Sequence, residues 1–508
     1  MAPDGSAGKQ QPPTIAIIGG GFAGLGMGYY LRQAGIDSFT IFEKTRDVGG
    51  VWRENTYPGA ACDVPSHLYS FSFEAHYPWS CRYGKQAEIL AYAQHVAQKY
   101  DLRRHFRFGK EVAGADYDAQ RGLWRVGFTD GTVFEANILI SGVGQLHRPA
   151  YPDIPGMQRF TGAAFHSARW DHRYDFNGKT IAVIGSGASA VQFVPELARQ
   201  VKRLTLFQRS PGWCIPKFDR AFNGFERWLL NHVPGFYDLD RLRIFWFIEF
   251  LASSMISRGL LSRIADGVLK LLSKVLMRVQ VKDPVLRRKL TPDFPVGCKR
   301  TLLSNDWLRA LARPNVEVVT EAIAEITADG VKTADGALHD VDAIVYGTGF
   351  AASQFLAPME LKGRDGQSLR ALWRDGAQAH LGVDVAGFPN FFMLYGPNTN
   401  LGAGSIIHML ETQASYIAQC AQLLQARGLR SMEIRGEAQQ TYNEELQRRN
   451  RSTTYESGCH SWYIGPDGRN TNNWVGYMSE YSRRLRTPNL DDYTLETLPL
   501  QAPAAKAA

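Results

Sequence analysis

Two glycine-rich strings in this chain have the spacing that lets a backbone wrap a pyrophosphate. The first, Gly19-Gly20-Gly21-Phe22-Ala23-Gly24, succeeds an apolar run at 14–18, and the second, Gly185-Ser186-Gly187-Ala188-Ser189-Ala190, succeeds another at 180–184. Each reads as a buried strand, a tight turn and a helix, the context that gives such a string meaning. The first glycine permits the turn, the second admits a phosphate to the backbone, and a small third residue lets the helix pack on the strand. The anion then rests on the positive end of that helix. Because the two strings start 166 positions apart, the chain is expected to hold two dinucleotides and to move electrons between them.

The residues just beyond each string separate the two sites. Glu43 ends the second strand, 19 residues after Gly24. An acid there accepts from ribose hydroxyls and repels a 2′-phosphate, so the first site suits FAD or NAD. In the second unit the strand 203–207 runs into Gln208-Arg209-Ser210. Arg209 stands near the place of the acid, where a guanidinium matches the 2′-phosphate of NADP; an exposed strand-end arginine is the plainer reading. The resulting assignment is FAD at Gly19, Gly21 and Gly24 with Glu43, and NADPH at Gly185, Gly187 and Ser189 with Arg209.

Three further strings narrow the chemistry. They are Gly49-Gly50-Val51-Trp52-Arg53-Glu54-Asn55-Thr56-Tyr57-Pro58-Gly59-Ala60-Ala61-Cys62-Asp63, the segment 160–171 containing Phe160, Gly162, His166 and Trp170, and Gly297-Cys298-Lys299-Arg300, with Gly347-Thr348-Gly349-Phe350 later in the chain. Together they resemble the type I Baeyer–Villiger monooxygenases. The segment 160–171 matches that family's F-x-G-x-x-x-H-x-x-x-W-[PD] signature, and the first string its G-G-x-W-x(4)-Y-P-G-x(3)-D box. The resemblance runs over residues 14–480.

The resemblance implies that NADPH reduces FAD, O2 adds to the reduced flavin, and a C4a-peroxyflavin attacks a ketone to give an ester or lactone. A deprotonated peroxide needs a fixed cation beside it. The family places Arg300 in that role, held by Asp63, with Lys299 joining Arg209 on the 2′-phosphate. It also sets Gly50, Trp52, Tyr69 and Gln145 at the flavin and Trp462 on a mobile loop over NADP and substrate. Read as residue types alone, these aromatics serve equally as core, and Gln145 as a surface amide. His166 and Trp170 read as packing residues of a linker that hinges two domains. Oxygenation of sulfur or nitrogen, or a flavin-binding protein without catalysis, are the alternative functions.

At 508 residues the chain divides into two or three domains. The expected fold is α/β, with two Rossmann-like dinucleotide-binding domains and a helical insertion in the NADP domain. The expected bounds are a tail at 1–13, an FAD-binding part at 14–175, an NADP-binding domain at 176–339 with the insertion at about 216–290, a second FAD-binding part at 340–500, and a tail at 501–508. A helix is expected over 86–100, an antiparallel meander over 111–141, and strands near 316–320, 331–333 and 343–346.

Net charge +8 suits an anionic cofactor or a weak attraction to acidic membrane surfaces, and no basic-aromatic module argues for nucleic acid. The six cysteines form no C-x-x-C pair and the histidines no cluster, which counts against a disulfide scaffold or a metal site. No signal peptide is apparent, so a cytoplasmic location is expected. The apolar run 244–256 is too short to span a bilayer. It reads as a buried helix, or else as a peripheral membrane contact or greasy substrate mouth. The expected partners are O2 and a hydrophobic ketone.

Overall fold

The computed structural model describes residues 12–459, 461–465 and 468–497. The expected tails, apart from residues 12 and 13, lie outside the described residues. The apolar run Ile15–Ile18 is buried throughout and forms the centre of a five-stranded parallel sheet. The strand order across that sheet is Phe391–Met393, Ile138–Ser141, Ile15–Ile18, Phe39–Glu43 and Phe106–Phe108. Its helix Phe22–Gln33 packs on the long helix Ile406–Ala426. The first unit is therefore assembled from both ends of the chain.

The glycines of the first string are required by geometry. Gly19 has φ +107°, and a Cβ on it would lie 2.6 Å from the Gly142 carbonyl oxygen. A Cβ on Gly24 would lie 2.1 Å from the Gly19 carbonyl oxygen, so only glycine lets the helix approach its strand this closely. Gly24→Ala is expected to yield protein purified without stoichiometric flavin. Flavin content per chain measures this, and full occupancy in the variant contradicts the assignment.

The second string repeats the construction. Its sheet runs Val316–Val319, Arg203–Phe207, Thr180–Ile184, Ala343–Tyr346 and Ala163–His166, all parallel. Gly185 has φ +105° and faces Gly347 as Gly19 faces Gly142, with a Cβ position 2.4 Å from the Gly347 oxygen.

The segment expected to be a linker contributes an edge strand instead, Ala163–His166, paired from Ala163↔Ala343 to His166↔Tyr346. Both strands lie outside 176–339, so the second sheet draws on residues from either side of the expected bounds. The signature residues fasten this strand. A Cβ on Gly162 would meet the Asp342 oxygen at 2.5 Å and the Phe160 ring at 2.7 Å. His166 Nδ1 accepts from the Ala168 N–H at 3.1 Å. Trp170 packs among Phe165, Phe176 and Phe193, with ring centroids 5.4 to 5.5 Å apart. The strand Ala-Ala-Phe-His lacks the apolar run that would mark it in sequence.

The meander is present as Val112–Asp118, Leu123–Phe128 and Val133–Ala136, with Glu360–Lys362 added on the outer edge. Residues 138–141 belong instead to the first sheet. The helical insertion comprises Gly224–His232, Phe236–Ile256, Leu260–Gln280 and Pro284–Leu290. Within it, Glu249 is buried and accepts from the Met478 N–H at 2.8 Å and the Ser479 hydroxyl at 2.7 Å. Trp246 and Phe247 are 57% and 56% exposed, so the run 244–256 is not a simple buried helix. Among the described residues no single helix is long and apolar enough to cross a membrane.

Candidate active site

Asp63 and Arg300, 237 positions apart, meet in an ion pair. Arg300 Nε and Nη2 both donate to Asp63 Oδ2, at 2.9 and 2.6 Å. Both residues line a cavity with a volume of about 360 Å³. Much of its wall is apolar and comes from the helical insertion, including Ile244, Ile248, Leu251 and Met255. Burial pushes the Asp63 carboxyl up, but Arg300 and Lys217 more than offset this and hold it below the usual carboxylate range. The Asp63 charge in turn raises Arg300 against the cost of its own burial. The result is a permanent cation, fixed by its partner and facing an apolar space.

Two residues that the sequence did not mark bear on this pair. Tyr395 and Tyr463 lie within electrostatic reach of Arg300. Burial pushes the Tyr463 phenol up to about 12, with Arg300 pulling the other way. Tyr395 has φ +62° and donates its hydroxyl proton to Asn400 Oδ1 at 2.7 Å. The adjacency of Tyr463 to Trp462 was the one sequence signal for it. For Tyr395 there was none, because its position depends on how the turn at 396–400 docks on residues 470–473.

At the first glycine string Glu43 ends its strand buried, with Oε2 accepting from the Gly20 N–H at 2.7 Å and Oε1 from the Thr45 N–H at 2.8 Å. The carboxylate is thereby oriented, and each oxygen keeps a lone pair for a ribose hydroxyl. Gly21 and Gly50 approach each other across the cradle, a Cβ on Gly21 lying 3.5 Å from the Gly50 Cα. Trp52 Nε1 donates to the Tyr69 hydroxyl at 2.9 Å. Gln145 Nε2 donates to the Tyr395 carbonyl at 2.9 Å, while its buried Oε1 has no partner among the described residues. An oriented acid, an open glycine turn and an orphaned buried acceptor fit a flavin dinucleotide.

At the second string Gly187 and Ala188 are exposed at a helix N-terminus, with nothing within 4 Å of a Cβ on Gly187. Ser189 comes next, on the first turn of that helix. Arg209 is exposed, and Lys299 Nζ donates to Ser210 Oγ at 2.7 Å. Burial and the neighbouring Arg209 charge both push the Lys299 ammonium down, with Asp293 opposing them. Two cations held in mutual repulsion beside a helix N-terminus fit an NADP phosphate.

The structure thus brings together Asp63 with Arg300, Arg209 with Lys299, and Trp52 with Tyr69. Phe160, Gly162, His166 and Trp170 do not line the cavity; they belong to the second sheet and its core. Trp462, 37% exposed, stacks edge-on against Tyr463 at 4.8 Å and does not line it either.

A disulfide joins Cys298 to Cys459 across 161 positions, with Cα atoms 6.2 Å apart. The cysteine spacing counted against such bonds, but a single distant pair depends on the fold and not on spacing. The bond ties the segment carrying Lys299 and Arg300 to the one carrying Trp462 and Tyr463. Thiol titration in denaturant is expected to find four free cysteines before reduction and six after, matching Cys62, Cys81, Cys214 and Cys420 as the free set. Six before reduction contradicts the bond.

Two dinucleotide cradles beside a carboxylate-clamped arginine define a two-cofactor flavin oxidoreductase. Residues 13–233 match the family model described as flavin-binding monooxygenase-like. The chain is 43% identical over 493 residues to a Baeyer–Villiger monooxygenase of Pseudomonas aeruginosa, covering 96% of this chain and 92% of that one. It superposes on cyclohexanone monooxygenase from Rhodococcus sp. Phi1 bound to NADP+ with a TM-score of 0.85 and 29% identity, over 96% of this chain and 100% of that chain. The OTEMO complex with FAD and NADP gives a TM-score of 0.83 at 29% identity, with the same coverage of both chains. The chain belongs to the Baeyer–Villiger monooxygenases.

Proposed function

We propose that this enzyme is an FAD- and NADPH-dependent Baeyer–Villiger monooxygenase acting on hydrophobic ketones. One oxygen atom of O2 enters between the carbonyl carbon and its neighbour, giving an ester or lactone. The other leaves as water with the hydride of NADPH and a proton. Bound FAD, once reduced by NADPH, supplies the oxygen-activating chemistry.

The observation that carries this reading is the Asp63–Arg300 pair opening on an apolar cavity. Arg300 supplies a fixed positive charge that keeps an oxygen nucleophile deprotonated and offsets charge growing on a ketone oxygen. Asp63 orients the guanidinium and stays ionised. Glu43 anchors the adenosine ribose of FAD, and Lys299 and Arg209 hold the 2′-phosphate of NADPH. Gly50, Trp52, Tyr69 and Gln145 border the flavin, and Trp462 belongs to the segment that covers NADP and substrate. His166 and Trp170 fasten the edge strand by which the chain enters the NADP-binding unit from an FAD-binding unit drawn from both ends of the chain.

Attack on sulfur or nitrogen calls for a protonated oxidant, which a permanent cation disfavours, so the ketone reading is the stronger of the two. The test is a panel of cyclic and long-chain ketones paired with sulfides, with product identification and NADPH consumption in air. Esters or lactones are expected from ketones. Sulfide turnover with no ester from any ketone overturns the reading, and no NADPH consumption at all marks a silent protein.

A further inference from the structure

We infer that the helical insertion docks on the surface of an anionic lipid bilayer and opens the active cavity to it. Among the described residues, 16 of the 21 large hydrophobic side chains that are exposed fall within 216–290. Scattered apolar residues on a surface are ordinary, but a patch this concentrated marks an interaction site.

The helix Leu260–Gln280 has three faces. Leu261, Ile264, Val268, Leu271, Val275 and Val279 recur every three or four residues and are between 36% and 65% exposed. Ser262, Ala265, Leu269, Ser273 and Met277 form the buried stripe. Arg263, Lys274 and Arg278 are exposed and fall in a third sector, at 100° per residue, beside the open apolar stripe. A helix with one face spent on packing has no need of a second apolar face unless something covers it.

Charge identifies what covers it. Residues 216–290 hold 14 Lys and Arg against 7 Asp and Glu, so this one segment carries +7 of the chain's net +8. Basic residues beside an apolar face suit anionic headgroups over acyl chains. A second copy of the same face would bring like charges together. The helices Phe236–Ile256 and Leu260–Gln280 are bent by 99°, which suits lying on a bilayer.

The patch is continuous with the cavity. Phe218 and Phe247, 63% and 56% exposed, also line the space that holds Asp63 and Arg300. A ketone dissolved in the bilayer then reaches the site without crossing water. Docking goes beyond the reaction assigned above and is scored without turnover, so either can fail alone.

The test is co-sedimentation of the FAD-loaded enzyme with vesicles of phosphatidylcholine alone or of equal parts phosphatidylcholine and phosphatidylglycerol, at low and high salt. Binding is expected to the anionic vesicles and to weaken with salt. The triple variant Ile264→Ser, Val268→Ser, Leu271→Ser is expected to bind at least about tenfold more weakly. These side chains are exposed, and flavin content and melting temperature confirm the fold. No binding to anionic vesicles at low salt, or equal binding by the variant, overturns the proposal. So does a wild-type dimer that the variant loses without either binding vesicles.

Discussion

Arg300→Ala is expected to retain FAD and to lose ester formation by about 10²–10³-fold or more, the effect of removing one charge-stabilising donor from a preorganised site. The size of the effect comes from the geometry. Two guanidinium N–H groups grip one oxygen of Asp63, so the cation cannot drift and does not reorganise during the reaction. Alanine also strands the Asp63 carboxylate in the cavity wall, where burial then favours its protonated form. Arg300→Lys keeps a charge for Asp63 and separates catalysis from folding. It loses the forked grip and is expected to fall between alanine and wild type. Flavin content, melting temperature and ester yield are the three measurements, and an unchanged ester yield in Arg300→Ala removes this residue from the chemistry.

Lys299→Ala is expected to raise the KM for NADPH about 10- to 100-fold, the loss of one hydrogen bond to a charged group, while kcat changes little. That split is the mark of lost binding that is equal in ground and transition states. NADH supplies the control, because it lacks the 2′-phosphate proposed to sit on Lys299 and Arg209. Its KM is expected to stay the same in the variant, so the preference for NADPH collapses. Relief of the repulsion between the two cations adds to the preference when the phosphate arrives. Equal use of NADPH and NADH by the wild type removes both residues from the assignment.

Local patterns disclosed much of this enzyme. The strand–glycine–helix strings at 14–24 and 180–190 are read from apolar runs and from positions only glycine tolerates, and both hold in the fold. Glu43 and Arg209 are legible from their offset after those strings. The helices of 216–290 and the meander after residue 111 are legible from periodicity. Asp63, Lys299 and Arg300 were identified only through resemblance, since a basic pair by itself is an ordinary surface feature.

Tertiary structure decided what depends on distant parts of the chain. Asp63 meets Arg300 because the loop after the first unit faces the insertion's exit, and no local pattern reports that approach. The strand Ala163–His166 takes its identity from Ala343–Tyr346, 180 positions on, and not from its own residues. Cys298 finds Cys459 for the same reason. Periodicity predicts that a helix has an apolar face but not whether a neighbour covers it, which is why the run 244–256 reads either as a buried helix or as an open apolar contact, and only the fold shows Phe247 exposed. Short-range sequence encodes backbone preference and side-chain chemistry. Which faces meet, and which stay open, is settled only when the whole chain has packed.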